Sequence, residues 1–271
     1  MYIKMRFLNG VSKALTLSYD DGATADERFI EIMRKNGLRG TFNLNSSMFL
    51  YGKDEKEKER VERLKNLYIE SDNEVACHGV SHPKLEQLTT PQMIHEILDD
   101  RERLEKEFNT IIRGMAYPYG SYDDNVLQAL KLCGICYSRT VGTTGGFGIP
   151  QNWLELEATC HHEDSRLWDL TDEFINAKDK ADPMLFYVWG HSHEFDRRSN
   201  WDRFEQFAEK TGNRDDVWYA TNIEIYDYVQ GFNRLQMSAD CKIIHNPNAF
   251  TVWFWADGKN YSIAPGETKR I

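Results

Sequence analysis

The sequence predicts an α/β protein: a (β/α) barrel of seven or eight units within residues 1–233, followed by a small β-rich appendage over 234–271. Two observations carry this expectation. Apolar runs of strand character alternate with amphipathic helical stretches from residue 14 to about 232, the grammar of parallel strands joined by crossover helices. Residues able to do chemistry recur just past the ends of those strands, on the rim where such barrels carry their sites.

The elements follow in order. Residues 14–19 alternate as a strand and end on Asp20, Asp21 and Gly22. Residues 26–36 form a helix with Phe29, Ile30, Ile32 and Met33 as its stripe, stopped by Gly37. Gly40 to Leu44 is the second strand, and the Lys-, Glu- and Arg-dense stretch 53–69 is a solvated helix. A short strand, 74–77, leads into His78. Thr90-Pro91 opens a long amphipathic helix, with Thr90 as its cap and Pro91 as its first residue. Strand 111–117, helix 122–132, strand 135–140, a weaker strand 154–158 and helix 166–178 continue the alternation. The most apolar strand, 184–189, runs into Gly190-His191, and helix 200–211, strand 217–220 and helix 222–232 complete it. Beyond Leu235 the pattern changes: residues 251–256 and 261–263 around Asp257-Gly258 read as a hairpin, with Trp253 and Trp255 packing the tail onto its parent unit.

A formal charge of −10 disfavours nucleic acid and anionic lipid as partners. No run of eighteen apolar residues appears, so no membrane span is expected. The first ten residues lack the apolar core of an export signal, and the chain reads as cytoplasmic. Five scattered cysteines make no disulfide framework. Cys133 and Cys136 have redox or zinc spacing but no second pair, and read as buried thiols at a helix-to-strand junction.

Asp20 and Asp21, His78, Tyr117-Pro118-Tyr119, Arg139 and His191 all fall on the predicted rim. One carboxylate and two imidazoles make a common catalytic metal shell that leaves a position open, and Asp21, His78 and His82 supply that set. Gly79 and Pro83 argue that His78 and His82 meet through a curling loop rather than along a helix. Hydrolysis of an amide or ester also needs a base for water and an acid for the leaving group, roles open to Asp20 and His191. His193 competes with His191, because strand alternation puts both on one side.

Ser18-Tyr19-Asp20-Asp21-Gly22, His78-Gly79-Val80-Ser81-His82, Tyr117-Pro118-Tyr119 and Trp189-Gly190-His191 resemble, in order, motifs of the polysaccharide deacetylases of carbohydrate esterase family four. The resemblance spans about residues 13 to 230 and implies a distorted (β/α) barrel. It implies Asp20 as catalytic base, Asp21, His78 and His82 as ligands of a divalent metal, and His191 as general acid. The backbone N–H of Tyr119 would help hold the oxyanion. The family's third motif usually begins with an Arg that orients the base; here that position is Ala116, and Arg139 is the candidate substitute. The fourth motif, which supports the acid, has no clean match, and the Thr159-Cys160-His161-His162 segment is a candidate to enter the cleft in its place. Tyr117, Pro118, His161, Trp189 and His193 are expected to bind substrate.

The leading expectation is a metal-dependent hydrolase removing acetyl groups, N-acetyl foremost, from a carbohydrate. Zinc stands first among the metals, with cobalt, nickel or another first-row ion also suited to the ligands. A catalytically idle sugar-binding protein on the same scaffold, motivated by Ala116, and a hydrolase of a non-sugar amide are the alternatives. The sequence leaves oligomeric state open.

Overall fold

A computed structural model describes residues 2–50, 54–179 and 182–271; Met1 and Lys53, which the sequence reading places in the first unit and the charged helix, lie outside them. The strands, in chain order, are β1 (Ile3–Arg6), β2 (Lys13–Asp20), β3 (Gly40–Leu44), β4 (Glu74–Cys77), β5 (Gly114–Ala116), β6 (Tyr137–Thr143), β7 (Leu156–Ala158), β8 (Cys160–His161), β9 (Met184–Gly190), β10 (Val217–Tyr219), β11 (Gln236–Met237), β12 (Ile243–His245), β13 (Val252–Ala256), β14 (Lys259–Ile263) and β15 (Thr268–Arg270). The helices are α1 (Asp26–Lys35), α2 (Ser46–Leu50), α3 (Glu55–Glu70), α4 (Thr90–Phe108), α5 (Asp124–Leu132), α6 (Leu167–Asn176), α7 (His193–Arg198), α8 (Trp201–Thr211) and α9 (Asn222–Asn233).

Strands β2 to β9 form one sheet in the order β7-β6-β5-β4-β3-β2-β9-β8, every neighbour parallel. The two ends of that path are consecutive in the chain, separated by Thr159 alone. The N–H of Thr159 bonds to the Tyr187 carbonyl at 2.8 Å, and its own carbonyl accepts from Gly145 at 3.0 Å. Residues 156–161 therefore face β6 with their first half and β9 with their second, at the two ends of one parallel α/β sheet flanked by helices. Strand β10, expected as a further unit of the alternation, pairs instead with residues 13–15 of β2, on the flank that β3 takes over from Leu17.

Period-two alternation sorts the two layers. Leu15, Leu17 and Tyr19 of β2, with Phe186 and Val188 of β9, pack with Phe29, Ile30 and Met33 of α1 in the larger core. Leu185, Tyr187 and Trp189 join a second cluster with Tyr137 and Leu156. Three further β2 residues, Thr16, Ser18 and Asp20, form a buried polar column that the Asn222 and Asn43 side chains contact. Helix ends follow their local chemistry. Gly37 takes φ 64 after α1, and Asp54 caps α3 by accepting from the Glu57 N–H at 2.9 Å. The long helix begins one residue earlier than Thr90 as cap predicts: Thr89 is the N-cap, and its N–H bonds Gln92 at 3.1 Å.

The tail contains the expected hairpin, β13 to β14, with Asp257 at φ 46 and Gly258 at φ 84, the paired positive φ of a type I′ turn. Its outer edge is taken by β1, antiparallel to β13, so residues 3–6 pair with the tail sheet. Strands β11, β12 and β15 make a separate small sheet. No helix among the described residues is long and apolar enough to cross a membrane.

Candidate metal centre and catalytic cleft

Strand β2 ends on Asp20, whose side chain continues the inward column of Thr16 and Ser18 and is buried. The chain then turns through Asp21 at φ 75 and Gly22 at φ 61, and this turn swings the second carboxylate out beside the first. His78 leaves β4 in the same layer. Its N–H bonds the Leu44 carbonyl and the Asp100 carboxylate, each at 3.0 Å. Its Nδ1 donates to the Ala116 carbonyl at 2.8 Å, which leaves the Nε2 lone pair facing the cleft. The loop between His78 and His82 curls as Gly79 and Pro83 suggested, with His82 in the left-handed region at φ 58.

These turns bring three donors together. Nε2 of His78 lies 3.1 Å from Nε2 of His82 and 3.7 Å from Oδ1 of Asp21, and His82 Nε2 lies 4.0 Å from that oxygen. Ligands around a tetrahedral zinc, at bonds of about 2.0–2.2 Å, stand roughly 3.4 Å apart. The triangle fits an ion of that size, and the His78 proton already sits on the ring nitrogen that faces away from it. Asp21, His78 and His82 form one of two groups among the described residues whose donor atoms lie close enough to hold a metal ion.

Beside the triangle, Asp20 is held from both sides. Asn43 donates to Oδ1 at 2.8 Å and Arg139 to Oδ2. Burial alone would raise the Asp20 pKa, but the Arg139 guanidinium and the nearby His78 and His191 outweigh it and hold the carboxyl below its usual range. Arg139 is itself buried, donates to the Thr140 carbonyl at 3.0 Å, and lies 4.3 Å from the centre of the Trp189 ring. His191 approaches from β9, its Nε2 3.8 Å from Oδ2 of Asp20 and 4.0 Å from Oδ2 of Asp21. Burial pulls its pKa down, yet Glu194, Asp20 and Asp21 together raise it. Burial pulls the His78 pKa below its usual value.

The remaining expected residues divide. Tyr119 takes φ 60, is 60% exposed, and sets its ring 4.5 Å from that of His82. Tyr117 is buried, and its hydroxyl donates to the Leu154 carbonyl at 2.7 Å, so it braces the wall rather than lining the cleft. Pro118 is buried beneath the same turn, and Trp189 is largely covered as the platform under Arg139. These three were expected to meet substrate. The structure instead gives them packing tasks, because strand periodicity does not say how deep a rim residue sits. His193 does not alternate with His191: the strand ends at Gly190, and His193 opens α7 with its ring 5.3 Å from that of His191. His161 faces Glu194 at 3.2 Å and stacks edge-on against Trp189. Sequence reasoning missed Asn43 and Glu194. Asn43 had a signal, a polar residue near the end of an apolar strand whose register partner is Asp20.

Comparisons with known proteins bear on the family and the fold. The family model described as polysaccharide deacetylase matches residues 9–138, a span that holds Asp20, Asp21, His78, His82 and Tyr119 but stops short of Arg139 and His191. The chain is similar to "Putative polysaccharide deacetylase YxkH" of Bacillus subtilis (strain 168), 26% identical over 142 residues. That match covers 49% of this chain and 46% of the relative, so it spans about half the relative's length. In fold, the chain is similar to the "putative polysaccharide deacetylase from Mycobacterium smegmatis" at TM-score 0.61 and 14% identity, covering 85% of this chain and 94% of that one. It is likewise similar to peptidoglycan deacetylase PdaC from Bacillus subtilis at TM-score 0.53 and 17% identity, covering 82% and 94%.

Proposed function

We infer that this chain, which belongs to the polysaccharide deacetylase family through residues 9–138, hydrolyses acetyl groups from a carbohydrate, N-acetyl foremost, with a divalent metal and zinc first among candidates. The observation that carries the reading is the juxtaposition of a three-donor triangle with an ionised, doubly anchored Asp20 on one side and His191 on the other. An ion held by Asp21, His78 and His82 would supply Lewis acidity, polarising an acyl carbonyl and acidifying water.

The chain's own groups do the rest. Asp20, kept ionised by Arg139, takes a proton from the attacking water. Asn43 and Arg139 each occupy one of its oxygens and so fix the plane from which the remaining lone pairs act. The backbone N–H of Tyr119 stands to hold the oxyanion as the carbonyl becomes tetrahedral. His191 delivers a proton to the leaving nitrogen, so an N-acetylated sugar and water give a free amine and acetate. Arg139 fills from β6 the place that Ala116 leaves empty, which favours an enzyme over an idle binder. The α/β unit lies within residues 1–233 and an accessory β unit within 234–271, with β1 lending its edge to the latter.

The test is acetate release from N-acetylated oligosaccharides by protein stripped with chelator and reloaded with zinc or cobalt. Metal-dependent release that Asp20→Asn abolishes is the expected result. Sugar binding with no release under any metal, and no change on Asp20→Asn, would return the reading to a binder.

A further inference from the structure

Behind His191 lies a second convergence of titratable groups that the reaction above does not use. Glu194, in the first turn of α7, places Oε2 3.1 Å from Nε2 of His162 and 3.2 Å from Nε2 of His161. Its Oε1 lies 3.8 Å from Nδ1 of His191, and the partly exposed Arg197 approaches that same oxygen at 3.2 Å. Two imidazoles and a carboxylate within reach of one another resemble a further cation site. The tautomers argue otherwise. The Glu163 N–H donates to Nδ1 of His161 at 3.1 Å, so the proton of that neutral ring is on Nε2, facing Glu194. Nδ1 of His162 lies 3.2 Å from the buried Tyr19 hydroxyl, while its Nε2 and Oε2 of Glu194, at ion-pair distance, make no aligned hydrogen bond among the described residues. His161 thus turns a hydrogen towards the carboxylate rather than a lone pair towards a cation.

The arrangement is built into the chain. A Cβ on Gly190 would stand 1.9 Å from Nδ1 of His162, so the bare residue between Trp189 and His191 is what lets His162 reach its place. Burial pushes the His162 imidazole down to about 4, which keeps it neutral, while the three surrounding histidines hold the Glu194 carboxyl far below its usual range. His191 meanwhile presents a buried Nδ1 with no hydrogen-bond partner among the described residues. The anion within ion-pair distance of it is Glu194, whose Oε1 lies at 3.8 Å.

We propose that Glu194 is the positioning residue for His191: flanked by His161 and His162 at ion-pair distance, its carboxylate stands behind Nδ1 and aims Nε2 at the cleft beside Asp20 and Asp21. Its kinetic consequence rests on the deacetylase reading; its structural consequence does not. An ion pair of this kind restrains the ring's orientation and the tautomer it presents.

The experiment uses the full chain loaded with zinc, its histidines labelled with nitrogen-15, and compares wild type with Glu194→Gln and Glu194→Asp. In Glu194→Gln the ring-nitrogen resonances of His191 are expected to move, and kcat on an N-acetylated oligosaccharide to fall about 10- to 100-fold with KM little changed. Glu194→Asp should recover part of both. Unmoved His191 resonances in Glu194→Gln overturn the proposal, as does an unchanged kcat in an active enzyme. A second ion per chain, lost on Glu194→Gln, also overturns it in favour of a metal site. If wild type releases no acetate, the deacetylase reading fails while the resonances still decide this one. If Glu194→Gln does not fold, His161→Ala carries the same resonance test by removing one flanking imidazole.

Discussion

Arg139 and Asp20, 119 residues apart in the chain, meet as an ion pair whose side chains are 1% and 4% exposed. Strand β6 supplies the cation and β2 the anion, so the orientation of the carboxylate depends on how three intervening strands of the sheet set the two apart. The Trp189 ring under the guanidinium and the Thr140 carbonyl beside it complete the support.

Removing one partner of a buried pair leaves the other without compensation, a loss on the order of 3–5 kcal/mol. Arg139→Ala is therefore expected to lower the melting temperature and the turnover together. Arg139→Lys should keep the charge but lose the planar fork that reaches Asp20 and Thr140 at once, so that turnover suffers more than stability. A double-mutant cycle pairing Arg139→Met with Asp20→Asn checks this. Additive effects on melting would mean the pair is not coupled.

Metal affinity should fall unequally across the triangle. His82→Ala and Asp21→Ala each remove a donor from partly exposed positions and should weaken zinc binding by more than about 100-fold while the apoprotein stays folded. His78→Ala should also destabilise the apoprotein, because that buried ring holds the Ala116 carbonyl between β4 and β5. Calorimetric titration with zinc beside thermal melts of the stripped proteins separates the two effects.

Asp26 gives a pH signature in stability. Burial raises its pKa to about 7, against the pull of hydrogen bonds from the Ser192 and Tyr68 hydroxyls. Between about pH 4 and 7 the folded chain keeps a proton that the unfolded chain has released, so this group's contribution is full at low pH and is lost as pH rises towards 7. The shift corresponds to a loss on the order of 4 kcal/mol. Asp26→Asn should raise melting modestly at pH 5 and more at pH 8. A gain that is equal at both pH values would contradict the assignment.

Two glycines should answer differently to alanine. At Gly258, φ is +84 but nothing lies within 4 Å of an added Cβ, so Gly258→Ala should cost about 1 kcal/mol from backbone strain alone. At Gly190 the backbone is ordinary but the new methyl would collide with His162. Gly190→Ala should lose turnover even where thermal melts show that it remains folded.

Much of the architecture was legible because it is local. Period-two runs and helical stripes placed most strands and helices between residues 13 and 233 within a few residues, though not α2, β8 or α7, and Asp257-Gly258 marked its hairpin while β1, β11, β12 and β15 went unread. Partnership was not legible in the same way. Nothing in Ile3–Arg6 says that its neighbour is Val252–Ala256, and nothing in Val217–Tyr219 says that it lies against the lower half of β2. The site divides likewise. Arg139 could be suspected from its place on the rim, whereas Tyr117 and Trp189 shared that rim and proved buried. Glu194 escaped because its neighbours gather where the chain passes between the two ends of the sheet at Thr159, which no spacing along the chain records.

Asp21, His82 and Tyr119 all place a side chain on backbone of positive φ, at 75, 58 and 60. Each such twist costs about 1–2 kcal/mol, so three of them within one cleft amount to a preloaded spring. An arriving cation can then be gripped with little further bending of the chain. The same tension can be relieved at Tyr119, which offers no side-chain ligand: Tyr119→Gly should make the protein harder to melt.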